Sequence, residues 1–222
     1  MENPMDATGI IDLGIGNIAS VSNAVLRAGG KPTIISKKGM IGKCERLIIP
    51  GVGSFGPAMR AISPYKGEVL EFAKSGKPVL GICLGMQIML GKGFEAGEYK
   101  GLGLFEGSVR RMDFAPKLPH VGWARIGCSM NENNCMAGGN GKMNGNELWK
   151  GGILEGLEQG EYVYFVHSYA CFPEEKGVVQ ATCDYGKDFT ACINKKNVWG
   201  VQFHPEKSGK AGAKIIGNFL KL

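Results

Sequence analysis

Residues Gly81-Ile82-Cys83-Leu84-Gly85-Met86-Gln87 place one cysteine between two glycines, directly after the apolar run Pro78-Val79-Leu80. This order predicts a buried strand, a sharp turn with Cys83 at its apex, and the start of a helix. Glycine suits positions 81 and 85 because a side chain there would clash with a neighbouring strand or helix. A thiol at the first turn of a helix also meets unpaired N–H groups, which favour the reactive thiolate. The pattern is typical of a nucleophile, although a buried core cysteine beside a glycine turn would give the same spacing.

Strands and helices alternate around this turn in the first half of the chain. Such β–α alternation predicts an α/β fold with a central, mostly parallel sheet flanked by helices. In sheets of this kind the chemistry lies at the carboxyl ends of the strands, which is where Cys83 falls. The apolar patterns predict strands at 9–13, 33–36, 47–50 and 78–82, and helices at 17–28, 55–62 and 68–75.

The second half changes to patterns that are typical of antiparallel hairpins. Residues 129–147 are rich in asparagine and glycine and are predicted to form a long surface loop. There is no internal repeat, and we expect a single domain over residues 1–222. Strands are predicted at 110–114, 123–128, 162–166, 178–183, 190–193 and 198–203, and a last helix at 210–220.

The composition excludes several classes of protein. Hydrophobic residues make up 44% and charged residues 21% of the 222 positions, as in ordinary globular proteins. No apolar run approaches the roughly 20 residues of a membrane helix. The polar, acidic N-terminus does not resemble a signal peptide, so we expect a cytoplasmic protein without membrane contact. The net charge of +6 is scattered, which disfavours nucleic acid as a partner and suits an acidic protein surface.

The chain has seven cysteines and three histidines, and no two cysteines are spaced Cys-x-x-Cys. This spacing disfavours a zinc site. A disulfide framework is also not expected without an export signal. We therefore expect no metal and no cofactor, and we expect most of the thiols to be reduced and structural.

His204 is the best candidate for the base that a cysteine nucleophile requires. It follows the last predicted strand, and Pro205 biases it towards an extended conformation. In an extended segment Glu206 would point to the same side as His204 and could hold the imidazole tautomer. A surface His-Pro-Glu turn would have the same sequence. The other two histidines are open to a structural interpretation: His167 could be a core residue, and His120 could be structural or interfacial.

The segment Gly51-Val52-Gly53 is a candidate oxyanion site, because it follows a buried strand and precedes a helix. Acyl transfer develops an oxyanion, which backbone N–H groups stabilise when they point at it. Val52 and Gly53 could supply such donors, and Leu84 could supply another just after the nucleophile. An ordinary glycine turn or a phosphate cradle would fit the same residues.

Together these blocks resemble the class I (triad) glutamine amidotransferases and, within that family, the glutaminase subunits of imidazole glycerol phosphate synthases. The wider family shares the cysteine turn and His204-Pro205-Glu206. The narrower resemblance rests on three further blocks, namely Gly14-Ile15-Gly16-Asn17, Pro119-His120-Val121-Gly122-Trp123 and Phe165-Val166-His167-Ser168-Tyr169. It implies a flavodoxin-like, glutamine amidotransferase type 1 domain.

The resemblance also implies roles for individual residues. Cys83 would attack the glutamine side-chain amide and form a γ-glutamyl thioester. His204 would protonate the departing ammonia and then activate water, while Glu206 would orient His204. The glutamine-binding residues would be Gly51, Gln87, Ser168 and Tyr169, acting largely through their backbone.

The partner implied by the resemblance is a (β/α)₈-barrel cyclase in a heterodimer. Ammonia would be channelled to this cyclase, which makes imidazole glycerol phosphate and an aminoimidazole carboxamide ribotide in histidine biosynthesis. Ala124 departs from the family pattern, because an asparagine usually follows Gly-Trp at the interface, and Leu13 replaces a usual aromatic residue. The interface residues implied in this chain are Asn17, His120, Trp123 and Lys207.

Three other functions are compatible with the sequence. Close relatives supply ammonia for amidation of surface-polysaccharide sugars, with a paralogous barrel as the partner. A non-catalytic regulatory subunit is a second alternative, which the intact set of Cys83, His204 and Glu206 disfavours. A stand-alone cysteine hydrolase is a third, and the residues implied to contact a partner disfavour it.

Overall fold

A computed structural model of the protein describes residues 7–14, 17–128 and 149–222. The predicted loop at 129–147 lies outside the described residues, as do Gly16 of the Gly-x-Gly-Asn block and the six N-terminal positions. The helices are α1 Ile18–Arg27, α2 Phe55–Ile62, α3 Lys66–Lys74, α4 Leu84–Ile88 and α5 Gly209–Phe219. The strands are β1 Ala7–Ile11, β2 Lys31–Ile35, β3 Arg46–Ile49, β4 Val79–Ile82, β5 Leu90–Gly93, β6 Tyr99–Lys100, β7 Phe105–Arg111, β8 His120–Ile126, β9 Glu161–His167, β10 Tyr169–Pro173, β11 Val179–Asp184, β12 Asp188–Lys195 and β13 Val198–Val201.

Seven strands form a central sheet in the order β11-β12-β13-β4-β3-β1-β2. Strands β13, β4, β3, β1 and β2 are mutually parallel, whereas β12 is antiparallel to both of its neighbours, β13 and β11. The predicted fold class is confirmed: the chain is a single α/β domain with a mostly parallel sheet and antiparallel strands in its second half. Since β3 and β13 flank β4, the segments that follow these three strands converge at one edge of the sheet.

Helices cover both faces of the central sheet. Helices α1 and α5 pack on one face through residues such as Val25 and Phe219, both 0% exposed. Helices α2 and α3 pack on the other face through residues such as Phe55 and Val69. Each such side chain contributes about 1.5–3 kcal/mol when it is removed from water. None of the helices in the described ranges combines the length and the apolarity that crossing a membrane requires.

Two smaller sheets border the carboxyl edge of the central one. One has the order β10-β7-β5-β6, and the other is the hairpin of β8 and β9. The sequence did not predict β5, β6 or β10, and β7 ends at Arg111 rather than reaching residue 114. Strand β10 pairs with the distant β7, and β5 and β6 have only four and two residues, so their local patterns do not define them.

The turn around Cys83 shows why both glycines are present. Cys83 has φ +53° and ψ −109°, a strained conformation for a residue with a side chain. A Cβ atom at position 81 would lie 2.7 Å from the Met86 nitrogen. A Cβ atom at position 85 would overlap the Ile49 carbonyl oxygen at the end of β3. The Cys83 N–H also donates to the Val201 carbonyl at 2.7 Å, which ties the apex to β13.

We expect Gly85→Ala to destabilise the fold by about 3 kcal/mol, because the new methyl group would push α4 away from β3. Gly217→Ala in α5 is the matched control, since its Cβ would meet nothing within 4 Å. That change should stabilise the helix by about 0.5–1 kcal/mol. Urea unfolding of both variants measures the difference, and equal stabilities would contradict the tight packing.

Candidate active site

A cavity of about 420 Å³ opens at the carboxyl edge of the central sheet. Its wall includes the turn after β3, the turn after β4 and the connection between β9 and β10. Eight of the residues to which the sequence analysis assigned a site role border it, namely Val52, Gly53, Cys83, Leu84, Gln87, Ser168, Tyr169 and Lys207. The fold therefore gathers residues from four distant segments around one sulfur atom.

His204 and Glu206 are in direct contact beside this cavity. The distance between His204 Nδ1 and Glu206 Oε1 is 2.8 Å, and both side chains are only 2% exposed. His204 itself is extended, as predicted, with φ −103° and ψ 95°, but residues Pro205–Lys207 form a 3₁₀ turn, so the extended segment expected to reach Glu206 is wrong. The turn still points both side chains the same way. Since the carboxylate accepts from Nδ1–H, Nε2 is left for other partners, and it has none among the described residues.

Electrostatics favour a protonated His204. Burial lowers its pKa, but interactions with Cys83 and Glu206 outweigh that effect and raise the pKa to about 10. The imidazole is therefore positively charged at neutral pH, close to the cysteine sulfur. A cation in that position favours a thiolate.

Ser208, which the sequence analysis did not single out, holds the backbone of His204. Its hydroxyl donates to the His204 carbonyl at 2.6 Å and accepts from the Tyr164 N–H at 3.0 Å. The His204 N–H in turn donates to the Tyr164 carbonyl at 2.9 Å. These bonds fasten the base to strand β9, and no local signal in the sequence marks them.

Gln202 and Gln87 form a buried pair next to Cys83. Gln87 Nε2 donates to the Tyr169 carbonyl at 2.8 Å and to Gln202 Oε1 at 3.1 Å. Gln202 Nε2 donates to Cys83 Sγ at 3.6 Å. Gln87 was predicted to bind glutamine, whereas Gln202 was missed. A polar residue in a strand that is otherwise buried on both sides was the available signal.

Glu95 is a second residue that the sequence analysis missed. It borders the cavity, and its Oε2 accepts from the Phe55 N–H at the start of α2, with a distance of 2.7 Å. It adds a second carboxylate, besides that of Glu206, to a site that also has the cations His204 and Lys207. Glu95 lies 40 residues from Phe55 in the chain, so only the fold brings them together.

Gly51 is not part of the cavity wall, although it was expected to bind glutamine. It is buried behind the turn, where a Cβ atom would lie 2.9 Å from the Gly85 nitrogen and 2.9 Å from Leu84 Cβ. Gly51 therefore allows the backbone after β3 to pack directly against α4. Its neighbours Val52 and Gly53 face the cavity instead, and Gly53 has φ +101°.

His167 and His120 lie opposite each other on β9 and β8 in an aromatic cluster. His120 is 3% exposed and stacks on Tyr185 with ring centroids 3.9 Å apart, so the interface role expected of it does not fit its position. His167 donates Nδ1–H to the Tyr169 carbonyl at 3.0 Å. Burial lowers the pKa of His167 to about 3, so this imidazole is neutral. Both residues therefore belong to the core, although His167 also borders the cavity.

The outer face of β8 and β9 presents aromatic residues to solvent. Trp123 is 53% exposed and packs edge-on against Tyr164, with ring centroids 6.0 Å apart. Lys207 Nζ lies 5.8 Å from the centre of the same Tyr164 ring, so this lysine borders both the cavity and the outer face.

Ala124, expected at an interface, packs instead against the core on the opposite face of β8. Asn17 caps α1 by accepting from the Ser20 N–H at 3.3 Å.

The remaining described cysteines differ from Cys83 in their surroundings. Cys44, Cys171, Cys183 and Cys192 are free and buried, and burial raises the pKa of each thiol. Cys128 is disulfide-bonded. In the described ranges no three His, Cys, Asp or Glu side chains are grouped so as to hold a metal ion. Cys83 is thus the free thiol with a cationic histidine beside it.

Comparison with known proteins gives a family for this arrangement. The family model described as "Glutamine amidotransferase class-I" matches residues 10–222. Among solved structures, PurLQS from Thermotoga maritima has a TM-score of 0.71 at 18% identity, with 98% of each chain covered. A structure titled as a glutamine amidotransferase has a TM-score of 0.68 at 20% identity, covering 96% of this chain and 97% of that chain. At these identities the likeness shows the fold.

Curated relatives are much closer in sequence. The imidazole glycerol phosphate synthase subunit HisH of Wolinella succinogenes is 41% identical, covering 96% of this chain and 98% of the relative. The protein of the same name from Aquifex aeolicus is 38% identical, covering 96% of both chains. The chain therefore belongs to the class I glutamine amidotransferase family and is, within it, a member of the HisH group.

Proposed function

We propose that the chain is the glutaminase subunit of an imidazole glycerol phosphate synthase, using Cys83, His204 and Glu206 as a triad. The observation that carries this proposal is the buried 2.8 Å contact between His204 Nδ1 and Glu206, which leaves Nε2 for the cysteine. An intact triad of this kind is what a non-catalytic regulatory subunit would lack. The family match begins at residue 10, and we take residues 1–222 as one domain.

In the first half-reaction the Cys83 thiolate attacks the side-chain carbonyl carbon of glutamine. The resulting oxyanion is stabilised by backbone N–H groups of Val52, Gly53 and Leu84, which border the same cavity as the sulfur. Collapse of this intermediate breaks the C–N bond, while the His204 imidazolium gives its proton to the departing nitrogen. Ammonia leaves, and a γ-glutamyl thioester remains on Cys83.

In the second half-reaction the neutral His204 takes a proton from water, which attacks the thioester carbonyl. The second oxyanion occupies the same site, and its collapse releases glutamate and the Cys83 thiolate. His204 is left protonated, so the starting ion pair is restored. Glu206 stays ionised throughout and stabilises the imidazolium without taking its proton.

The charges around the cavity suit the zwitterionic end of glutamine. The Glu95 carboxylate is a partner for an α-ammonium group, and Lys207 is a partner for an α-carboxylate. Gln87 has both amide hydrogens committed to Tyr169 and Gln202, so only its Oε1 remains for a ligand. Ser168 and Tyr169 would contribute backbone groups from the opposite wall.

The outer face around Trp123 and Tyr164 is the proposed docking surface for a (β/α)₈-barrel cyclase in the cytoplasm. An exposed aromatic pair with neighbouring cations is typical of the centre of a protein interface. Lys207 connects this surface to the cavity, because it borders both. Ammonia released at Cys83 would therefore pass beside Lys207 to the partner without entering bulk water.

We expect Cys83→Ala to abolish glutamine hydrolysis and to leave ammonia-dependent synthesis by the partner intact. The reason is that the thiolate is needed only to release ammonia. Product formation is measured with glutamine and, separately, with an ammonium salt. Residual glutaminase activity above about one part in a thousand would contradict the assignment of the nucleophile.

We expect His204→Ala to be as damaging as the loss of Cys83, and Glu206→Gln to be milder. Glu206 is one of the groups that raise the pKa of His204 to about 10. Removing the charge of Glu206 lowers the pKa of His204, so His204 loses its proton at a lower pH. The activity of the enzyme should therefore also be lost at a lower pH. The pH profile of kcat/KM for glutamine measures this shift. His167→Ala is the control, and a larger loss there than in His204→Ala would show that the base is misassigned.

We expect the isolated subunit to be nearly inactive, because the Gly51–Val52 peptide can rotate the Val52 N–H away from the oxyanion. Gly53→Ala should disturb the turn that positions the Val52 and Gly53 N–H groups, because alanine is strained at a φ of +101°, while its Cβ meets nothing within 4 Å. Loss of one oxyanion donor typically costs about 10²–10³ in kcat. Gly103→Ala, with φ +71° and equally open space, is the matched control. A free subunit as fast as the complex would rule out the switch.

A further inference from the structure

Gln202 is a completely buried polar side chain that reaches the sulfur of Cys83. It is 0% exposed and follows β13, where its backbone N–H donates to the Ala191 carbonyl at 2.9 Å. Its side chain bonds to Gln87 on one side and to Cys83 on the other. A buried amide is unfavourable unless such bonds satisfy it, so its position is closely constrained.

The hydrogen-bond network determines which end of the Gln202 amide faces the sulfur. The Tyr169 carbonyl can only accept, so the NH₂ group of Gln87 must point towards it. The second hydrogen of that NH₂ group is donated to Gln202 Oε1. Gln202 therefore presents its own NH₂ group to Cys83 Sγ, at 3.6 Å.

This donor distinguishes between the two protonation states of the sulfur. As a thiol, Cys83 donates S–H to the Val166 carbonyl at 3.9 Å. As a thiolate it can only accept, and an N–H donor bonds more strongly to a charged acceptor than to a neutral one. The Gln202 amide therefore stabilises the thiolate more than the thiol.

The other titratable groups near Cys83 come from β9, from β10 and from the segment after β13. His204 is protonated and is paired with the triad carboxylate. Cys171 on β10 interacts with Cys83, and burial keeps it neutral by raising its thiol pKa well above the usual range. His167 is neutral and interacts with His204. Lys207 and Glu95 also border the cavity that contains the sulfur, and Gln202 adds an uncharged donor to these charged groups.

We propose that Gln202 is a positioning residue that orients Cys83 Sγ and favours its thiolate, as the last donor in a relay from the Tyr169 carbonyl through Gln87. The proposal rests on the proposed function, in which that thiolate is the nucleophile. Its direct consequence is that Gln202 favours the thiolate form of Cys83 even in the absence of glutamine.

The test is the rate at which iodoacetamide alkylates Cys83, followed against pH by peptide mass spectrometry in the full chain. In Gln202→Met the midpoint of the profile should move up by about one pH unit, so alkylation below it slows about tenfold. Gln202→Glu keeps an acceptor for Gln87 and places a carboxylate at the sulfur, and its midpoint should move further. Gln180→Met, which removes an exposed amide, should leave the profile unchanged.

Two outcomes would overturn the proposal. A rate that falls equally at every pH, with the same midpoint, would give Gln202 a merely structural role. Loss of the Gln202→Met shift in a His204→Ala background would show that Gln202 acts through the histidine and not on the sulfur. Failure of the proposed function is a separate result, because it would appear as absent glutaminase activity in a chain whose Cys83 profile still responds to Gln202.

Discussion

The close packing of α4 against the end of β3 is the constraint on which the site depends. It requires the absence of a side chain at Gly85, where a Cβ atom would overlap the Ile49 carbonyl, and at Gly51 on the other side of the contact. The short helix can then start immediately after β4 and hold Cys83 at a positive φ. This strained conformation persists because surrounding backbone hydrogen bonds hold it in place. The bond from the Cys83 N–H to the Val201 carbonyl is one of them.

The pKa values of the two histidines nearest the cavity are shifted in opposite directions by their surroundings. Burial of His204 is outweighed by its electrostatic interactions with Cys83 and Glu206, which raise its pKa to about 10. His167 has a backbone carbonyl and aromatic rings around it, so burial dominates and lowers its pKa to about 3. Opposite environments of this kind distinguish the proposed base, His204, from a residue that supports the wall of the site.

The helices and central strands could be predicted well because their signals are local. The apolar stripe between Asn17 and Ala28 gave α1 within one residue at each end, and α2 was predicted at its observed bounds. Strand β7 was misplaced because one of its partners is the distant β10, where Tyr169 pairs with Arg111. The hydrophobic pattern of a strand is a weak signal when its burial depends on partners that are distant in the chain.

By itself the sequence determined the family and predicted a nucleophile and its base, because each is encoded in a short block with its own turn chemistry. The side-chain contact between His204 and Glu206 was also predictable, although it is reached through a 3₁₀ turn and not an extended segment. Only the tertiary structure decided that Gln202, 119 residues from Cys83, donates to its sulfur, and that Glu95 caps α2 at the cavity. It also decided that His120 is a core residue. These relations depend on which distant strands lie side by side, and parallel pairing of β4 with β3 and β13 is a property of the whole sheet that no single segment specifies.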